Sequence, residues 1–357
     1  MTRMTHFHQI LKKDFFNRIT FLSKFLSDTD ILTAAESEKY NWRERIWTPF
    51  QTLWTFLIQV LNPDCSCRAA VAQVLAEQAV VGELSKVSAD PTAYCQGRKR
   101  LPIGLFKMAF QKIGQSLKAK IDADYFWNGR NVWLVDGSSC SMPDTPELQE
   151  TFGQPDGQLK GCGFPVARIV ALFCWASGAI IDIAIGASRI PGFRSKTIMV
   201  ATTLLDMKEY SLEMIAQLYA DRWTIELRLR DIKTTLGMDV LRCKSSDVVR
   251  KEIYMHLVAY NLIRTLMWQA SEEHNRPLHR LSFAGTVQRF DVAAPYLYLF
   301  FGTGKAVMIY KLLLKWIAGD ILPYRPNRIE PRAVKRRPKE YDRLNRPRSQ
   351  MRQELLK

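Results

Sequence analysis

The 357-residue sequence predicts an α/β protein: a helical N-terminal domain, a sheet flanked by helices, and a basic C-terminal tail. Three observations carry that prediction. Apolar residues recur at helical spacing up to about residue 125. Short aliphatic, strand-like runs replace them from Asn131. Helical spacing then resumes at Ser211.

Arg43 to Leu61 and Cys65 to Val81 read as helices separated by the turn signal Asn62-Pro63-Asp64. A short helical piece at Pro91 to Gly97 precedes the basic run Arg98-Lys99-Arg100 and Pro102. Two short helices beside a basic run suit a DNA-reading unit, and equally any compact helical domain. Val132 to Asp136 reads as a short buried strand ending in a carboxylate. Val166 to Ala176 and Ala179 to Gly186 read as a hairpin around Ser177-Gly178, and Thr197 to Leu205 as a further strand.

The next element runs from Ser211, a residue type that caps helix N-termini, to Gly237, placed as a C′ glycine. At 100° per residue, Arg222, Glu226 and Lys233 lie about 300°, 340° and 320° round from Tyr219, one shared stripe. Leu218, Ile225, Leu229, Ile232 and Leu236 form an apolar stripe beside it. A second long helix is expected from Asp247 to His274, with Val249, Ile253, Leu257, Tyr260, Leu262 and Ile263 on its buried face. Gly302 to Leu314 is apolar and basic by turns, with no assigned role.

The composition bounds the partners. With 47% hydrophobic residues the chain is globular, and a net charge of +16 points to a polyanion, nucleic acid first. Residues 325–357 hold twelve Lys or Arg against four Asp or Glu, a net of +8. This Pro- and Arg-rich stretch is expected to be disordered when free. The seven cysteines are scattered, and the single residue between Cys65 and Cys67 is not the usual zinc spacing. Reduced thiols in a cytoplasmic protein are expected. The N-terminus has no signal-peptide pattern, and Val166 to Ala187 is broken by Arg168, Ser177-Gly178 and Asp182, so no membrane partner is expected.

The spacing Tyr219-x2-Arg222-x3-Glu226-x6-Lys233 resembles the signature helix of the DDE transposases of the insertion-sequence 4 family. Arg43 to Pro102, Val132 to Gly186 and Pro191 to Arg264 resemble that family in order. The stretches Gly161-Cys162-Gly163-Phe164-Pro165-Val166-Ala167-Arg168 and Leu236-Gly237-Met238-Asp239-Val240-Leu241-Arg242-Cys243-Lys244 are notable.

The resemblance implies an RNase H-like mixed sheet flanked by helices. It implies cut-and-paste transposition by metal-dependent phosphodiester cleavage and strand transfer, and DNA partners at the element ends and target. A homodimeric synaptic complex and a cytoplasmic, nucleoid-associated location follow. Asp136 matches the first catalytic acid and Glu226 the third, both as ligands of a two-Mg²⁺ site. Tyr219, Arg222 and Lys233 match DNA contacts. The implied domains are a DNA-end-binding 1–125, a catalytic 126–275, an apolar and basic segment 276–324 and the tail 325–357.

The sequence departs from the family where the second acid belongs. Ile185-Gly186-Ala187-Ser188 runs straight into Arg189-Ile190-Pro191, and Asp136 and Glu226 are only 90 positions apart. An internal deletion near Ser188–Arg189, removing one central strand and its Asp, accounts for this. Asp182 and Asp206 are the acids available as substitutes, and each falls in a stretch that is family-like without being catalytic. An impaired catalyst is expected, with a DNA-binding remnant or inhibitor of intact transposase as the alternative.

Overall fold

The computed structural model describes residues 26–43, 46–62, 64–80, 88–121, 125–155, 159, 161–187, 203–204, 206–300, 303–323 and 345–356, except the side chains of 28, 80, 220, 223 and 298. Among the described residues five helices come first: α1 (Asp28–Ser37), α2 (Pro49–Leu61), α3 (Cys67–Val80), α4 (Thr92–Arg100) and α5 (Ile103–Lys118). Their starts follow from capping chemistry. Ser27 and Asp30 form a capping box at α1, and Thr48 accepts from the Gln51 amide ahead of Pro49 at the first position of α2.

Three strands follow, β1 (Trp133–Ser141), β2 (Val166–Cys174) and β3 (Ile180–Gly186), with α6 (Pro146–Phe152) between the first two. Then come α7 (Leu212–Ala220), α8 (Trp223–Arg230), a π-turn (Asp231–Thr235), α9 (Ser246–His274), α10 (Phe283–Leu299), α11 (Gly304–Gly319) and α12 (Arg348–Leu355).

α9 is the hub. Its expected face is buried, with Val249, Ile253 and Tyr260 at 0% exposure, and so are Lys251, Glu252, His256, Asn261 and Arg264 on its other sides. A helix buried all round needs neighbours all round, and α2, α5, α10 and α11 supply them. One hydrophobic core runs from Leu26 to Ala318.

The expected hairpin is present, with Gly178 at φ +72° in its turn, a conformation glycine adopts without strain. Other expectations need correction. Asp136 does not end a short buried strand: β1 is nine residues long and Asp136 is at its fourth position, opposite Ala171 of β2. Gly137 to Ser141 are weak strand formers, but each pairs with a β2 residue, and the ladder holds them extended. The strand is also not buried on both faces. Leu134, Asp136, Ser138 and Cys140 point one way, opposite buried Phe173, Ala171, Ile169 and Ala167. Val135 points the other way and is 57% exposed.

The sheet was expected to be mixed. Among the described residues it is antiparallel, in the order β1-β2-β3, and the parallel pairing is one isolated bridge between Ser141 and Val240. The Ser188–Arg189 junction and the Thr197–Leu205 strand lie outside the described residues, apart from Thr203 and Leu204, which are not in a strand.

The single helix expected from Ser211 to Gly237 is three pieces. Both ends are as read: the Ser211 hydroxyl accepts from the Met214 amide, and Gly237 has φ +74°. Between α7 and α8 the bonds shorten to the i→i+3 type, from the Arg222 amide to Tyr219 and from Ile225 to Arg222. At the far end Leu236 reaches back five residues to Asp231. The first change overwinds the helix and the second underwinds it, so the polar stripe bends.

The tail also differs from expectation. Residues 324–344 lie outside the described residues, but Arg348–Leu355 is a helix. Arg348 anchors it: Nε is 3.1 Å from Asp144 Oδ2, and the guanidinium lies over the Phe164 ring.

Candidate active site

Asp136 reaches the site because the pleat turns it toward the helices, beside buried Leu134 and opposite buried Ala171. Glu226 reaches it because the apolar stripe of the signature helix buries Ile225, Leu229, Ile232 and Leu236, which places the neighbouring stripe at the sheet. The residue joining them is Arg222. Its Nη1 is 3.5 Å from Asp136 Oδ2 and its Nη2 is 3.9 Å from Glu226 Oε1. Two carboxylates 90 positions apart thus flank one guanidinium, and all three side chains are partly exposed. The other oxygen of Asp136 accepts the Gly137 amide at 2.7 Å. Tyr219 completes the group, with its ring centre 5.6 Å from Arg222 Cζ.

Lys233, the fourth signature residue, is turned elsewhere. It pairs with Asp239 at 2.8 Å, in the loop that follows the π-turn. That loop is pinned to the end of β1, where the Ser141 amide donates to Asp239 and the Leu241 amide to Ser141. The buried Glu252 carboxylate holds it from below by accepting the Arg242 and Cys243 amides. Lys233 influences buried Cys140, four positions beyond Asp136 on the same face. Burial pushes that thiol up to about 12, and the lysine's charge opposes the rise.

Neither candidate substitute joins the pair. Asp182 lies opposite Leu172 on the outward face of the sheet, where it accepts the Ile183 amide. Asp206 caps the turn into Tyr210 by accepting the Lys208 and Glu209 amides. Among the described residues no three His, Cys, Asp or Glu side chains come together as a metal site. Asp136 and Glu226 are nevertheless hard oxygen donors that already share a positive charge, which is the donor chemistry a magnesium ion takes.

Two positioning residues escaped the sequence reading. Arg228 ties α8 to the end of β2 by donating to the Cys174 and Trp175 carbonyls at 3.3 and 3.0 Å. Burial lowers its pKa to about 10. Arg264 of α9 donates to the Ser177 carbonyl at 2.7 Å, while Tyr260 donates to Gly178 and Asn261 bonds both backbone groups of Ile180. A cation among Leu262, Ile263 and Leu266 was the available signal for Arg264. Nothing in the sequence distinguishes Arg228 from its solvated neighbours. Arg98 belongs to the basic run Arg98-Lys99-Arg100, yet it is only 8% exposed and its guanidinium lies over Phe56.

Comparison with known proteins identifies the family. Residues 34–262 match the family described as "Transposase DDE domain". The chain is 31% identical over 159 residues to transposase InsG of insertion sequence IS4 from Escherichia coli K12, covering 42% of this chain and 34% of that protein. It is 39% identical over 164 residues to the transposase of insertion sequence IS421 from Escherichia coli, covering 40% and 44% respectively. The chain therefore spans less than half the length of these relatives. No solved structure matches it. The family match extends over more than half of the sequence, and it contains the strand of Asp136 and the helix of Glu226: the chain belongs to the DDE-domain transposases.

Proposed function

We propose that this chain is an insertion-sequence transposase built on an RNase H-like catalytic region, with chemistry weakened by the loss of its second acid. The carrying observation is the convergence of Asp136, Arg222 and Glu226 from a strand and a distant helix. Asp136 and Glu226 are the residues that would hold a divalent ion. Magnesium ions, when bound in such a site, activate the attacking oxygen and stabilise the leaving one in phosphodiester cleavage and strand transfer.

The remaining steps fall to the chain's own residues. Arg222 and Lys233 offer a planar, forked cation and a point charge to phosphates near a cut end, and Tyr219 supports the Arg222 guanidinium beside the terminal nucleotides. Both cations now rest on carboxylates, so a phosphate competes with Asp136, Glu226 and Asp239 for them. Residues 1–125 are assigned to DNA-end binding, 126–275 to catalysis and the basic tail to phosphate contact. A synaptic dimer brings two ends together.

A second reading is a DNA-binding remnant that inhibits intact transposase. It is favoured by one fact: no acid stands between Asp182 and Asp206 to complete the set. A cleavage assay separates the two. The protein is mixed with DNA spanning its own coding region and flanks, with Mg²⁺ or Mn²⁺, and Glu226→Gln as control. Specific nicks near the flanks that vanish in the control establish catalysis. Binding without nicks establishes the remnant.

A further inference from the structure

A cavity of about 260 Å³ opens where the last turn of α2, the π-turn that closes the signature helix and the middle of α10 come together. Val60, Leu236 and Val287 are its buried apolar walls, with Leu61 partly buried beside them. Its polar side includes Thr234, Gln288 and Asp291, and no lysine, arginine or histidine lines it among the described residues. In a chain of net charge +16, a cavity without a cation is a local exception.

Its electrostatics follow from how two helices stop. The last carbonyls of a helix lack intrahelical donors and carry the negative end of its dipole. At α2 the amide four residues beyond Leu61 is that of Cys65, and it donates to Asn62 at 2.9 Å instead. Val60 likewise receives no amide from the four residues that follow it. At the π-turn the amides of Met238 and Asp239 reach past Thr234 and Thr235 to Ile232 and Lys233, at 3.2 Å each. Both helix ends therefore bring spare backbone acceptors to the cavity wall.

Asp291 adds a full charge. It lines the cavity and is itself exposed, so it stands at the opening. Arg289, two positions before it, is taken by Asp320. Surrounding protein pushes the Asp291 carboxyl up to about 6, with no neighbouring positive charge to oppose the rise.

The combination selects a ligand. A carboxylate beside spare carbonyls favours a positively charged donor, while an apolar wall favours a hydrocarbon stem. At about 30 Å³ for each water-sized group, the cavity holds roughly eight. A bare metal ion would leave the apolar walls uncovered, and an anion would be repelled.

We propose that the cavity is a binding site for one primary alkylammonium group, with the ammonium on Asp291 and the helix-end carbonyls and the stem along Val60, Leu61, Leu236 and Val287. A small free amine and the lysine side chain of a partner share that chemistry. Occupancy ties the end of the signature helix, one residue beyond Lys233, to α2 and α10. The inference does not depend on catalysis at Asp136 and Glu226.

The test is calorimetric titration of the full chain at pH 8 with n-pentylamine, and with 1-pentanol as the uncharged stem. Pentylamine should bind once per chain and at least tenfold more tightly than pentanol. Asp291→Asn should weaken pentylamine at least tenfold while leaving the melting curve unchanged. Nα-acetyl-lysine methylamide separates the sources: binding as tight as pentylamine assigns the site to a lysine side chain, and weaker binding assigns it to a free amine. No saturable pentylamine binding, equal affinities for amine and alcohol, or an unchanged affinity in Asp291→Asn overturns the proposal. The amine–alcohol comparison on the unsubstituted chain decides it even if the variant fails to fold.

Discussion

Arg222 holds the place of a cation between Asp136 and Glu226, and its removal exposes two unneutralised carboxylates. Arg222→Gln should therefore bind Mn²⁺ about tenfold more tightly than the parent in calorimetric titration, because a competing positive charge is gone. Asp136→Asn should bind it more weakly than either; an Arg222→Gln affinity equal to the parent's would show that the guanidinium does not compete.

A second prediction at this scale concerns Glu77 of α3, whose carboxyl burial pushes up from 4.5 to about 7, opposed by the hydrogen bond from Gln73. The folded form binds the proton more tightly than the unfolded chain. Its contribution to stability is complete below about pH 4.5 and is lost as pH rises through 7. Glu77→Gln should leave the unfolding free energy unchanged at pH 4 and raise it at pH 8 by an amount on the order of 2 kcal/mol, measured by urea unfolding at each pH. Equal shifts at both values would refute the assignment.

Among the elements, two arginines hold the β2–β3 hairpin, Arg228 tying it to the signature helix and Arg264 to α9. Arg264 fills the space beside Gly178, where an added Cβ would come within 2.6 Å of its Nη2 at a backbone φ of +72°. Gly178→Ala should cost about 2–4 kcal/mol, from left-handed strain together with displacement of a buried charge. Arg228→Met should keep the fold but loosen α8 from β2, costing about 1–3 kcal/mol in urea unfolding, since two partly buried carbonyls lose a charged donor. A neutral result for Arg228→Met would mean that water replaces it.

For the whole molecule, charge is the main lever. The net +16 is split evenly between residues 325–357 and the other 324 residues. Truncation after Pro323 should weaken DNA binding for all sequences alike and flatten its dependence on salt, measured by fluorescence anisotropy over a salt series. An unchanged slope would show that the tail makes no phosphate contact. Truncation also removes α12, whose Arg348 is held by Asp144 and Phe164, so melting should be compared in parallel. No helix among the described residues is long and apolar enough to cross a membrane.

By itself the sequence determined the helices around Pro49–Leu61, Cys67–Val80 and Ser246–His274, the hairpin strands, the Ser211 cap, the Gly237 stop and the Ser177-Gly178 turn, and it singled out Asp136 and Glu226 as candidate acids. These are local properties: periodicity, caps, turn chemistry and residue spacing along one chain. Tertiary structure decided the rest. Gly137 to Ser141 are extended because β2 pairs with them, and the polar stripe bends because turns at both ends of α8 depart from 100° per residue. Arg98 is buried because α4 packs it against Gln59 and Phe56 of α2, and Arg222 sits between two acids because a strand and a helix distant in sequence meet at one sheet face. The physical reason is common to all of these. A side chain's partner across the fold is fixed by packing of the apolar faces, and no spacing within a single element contains that information.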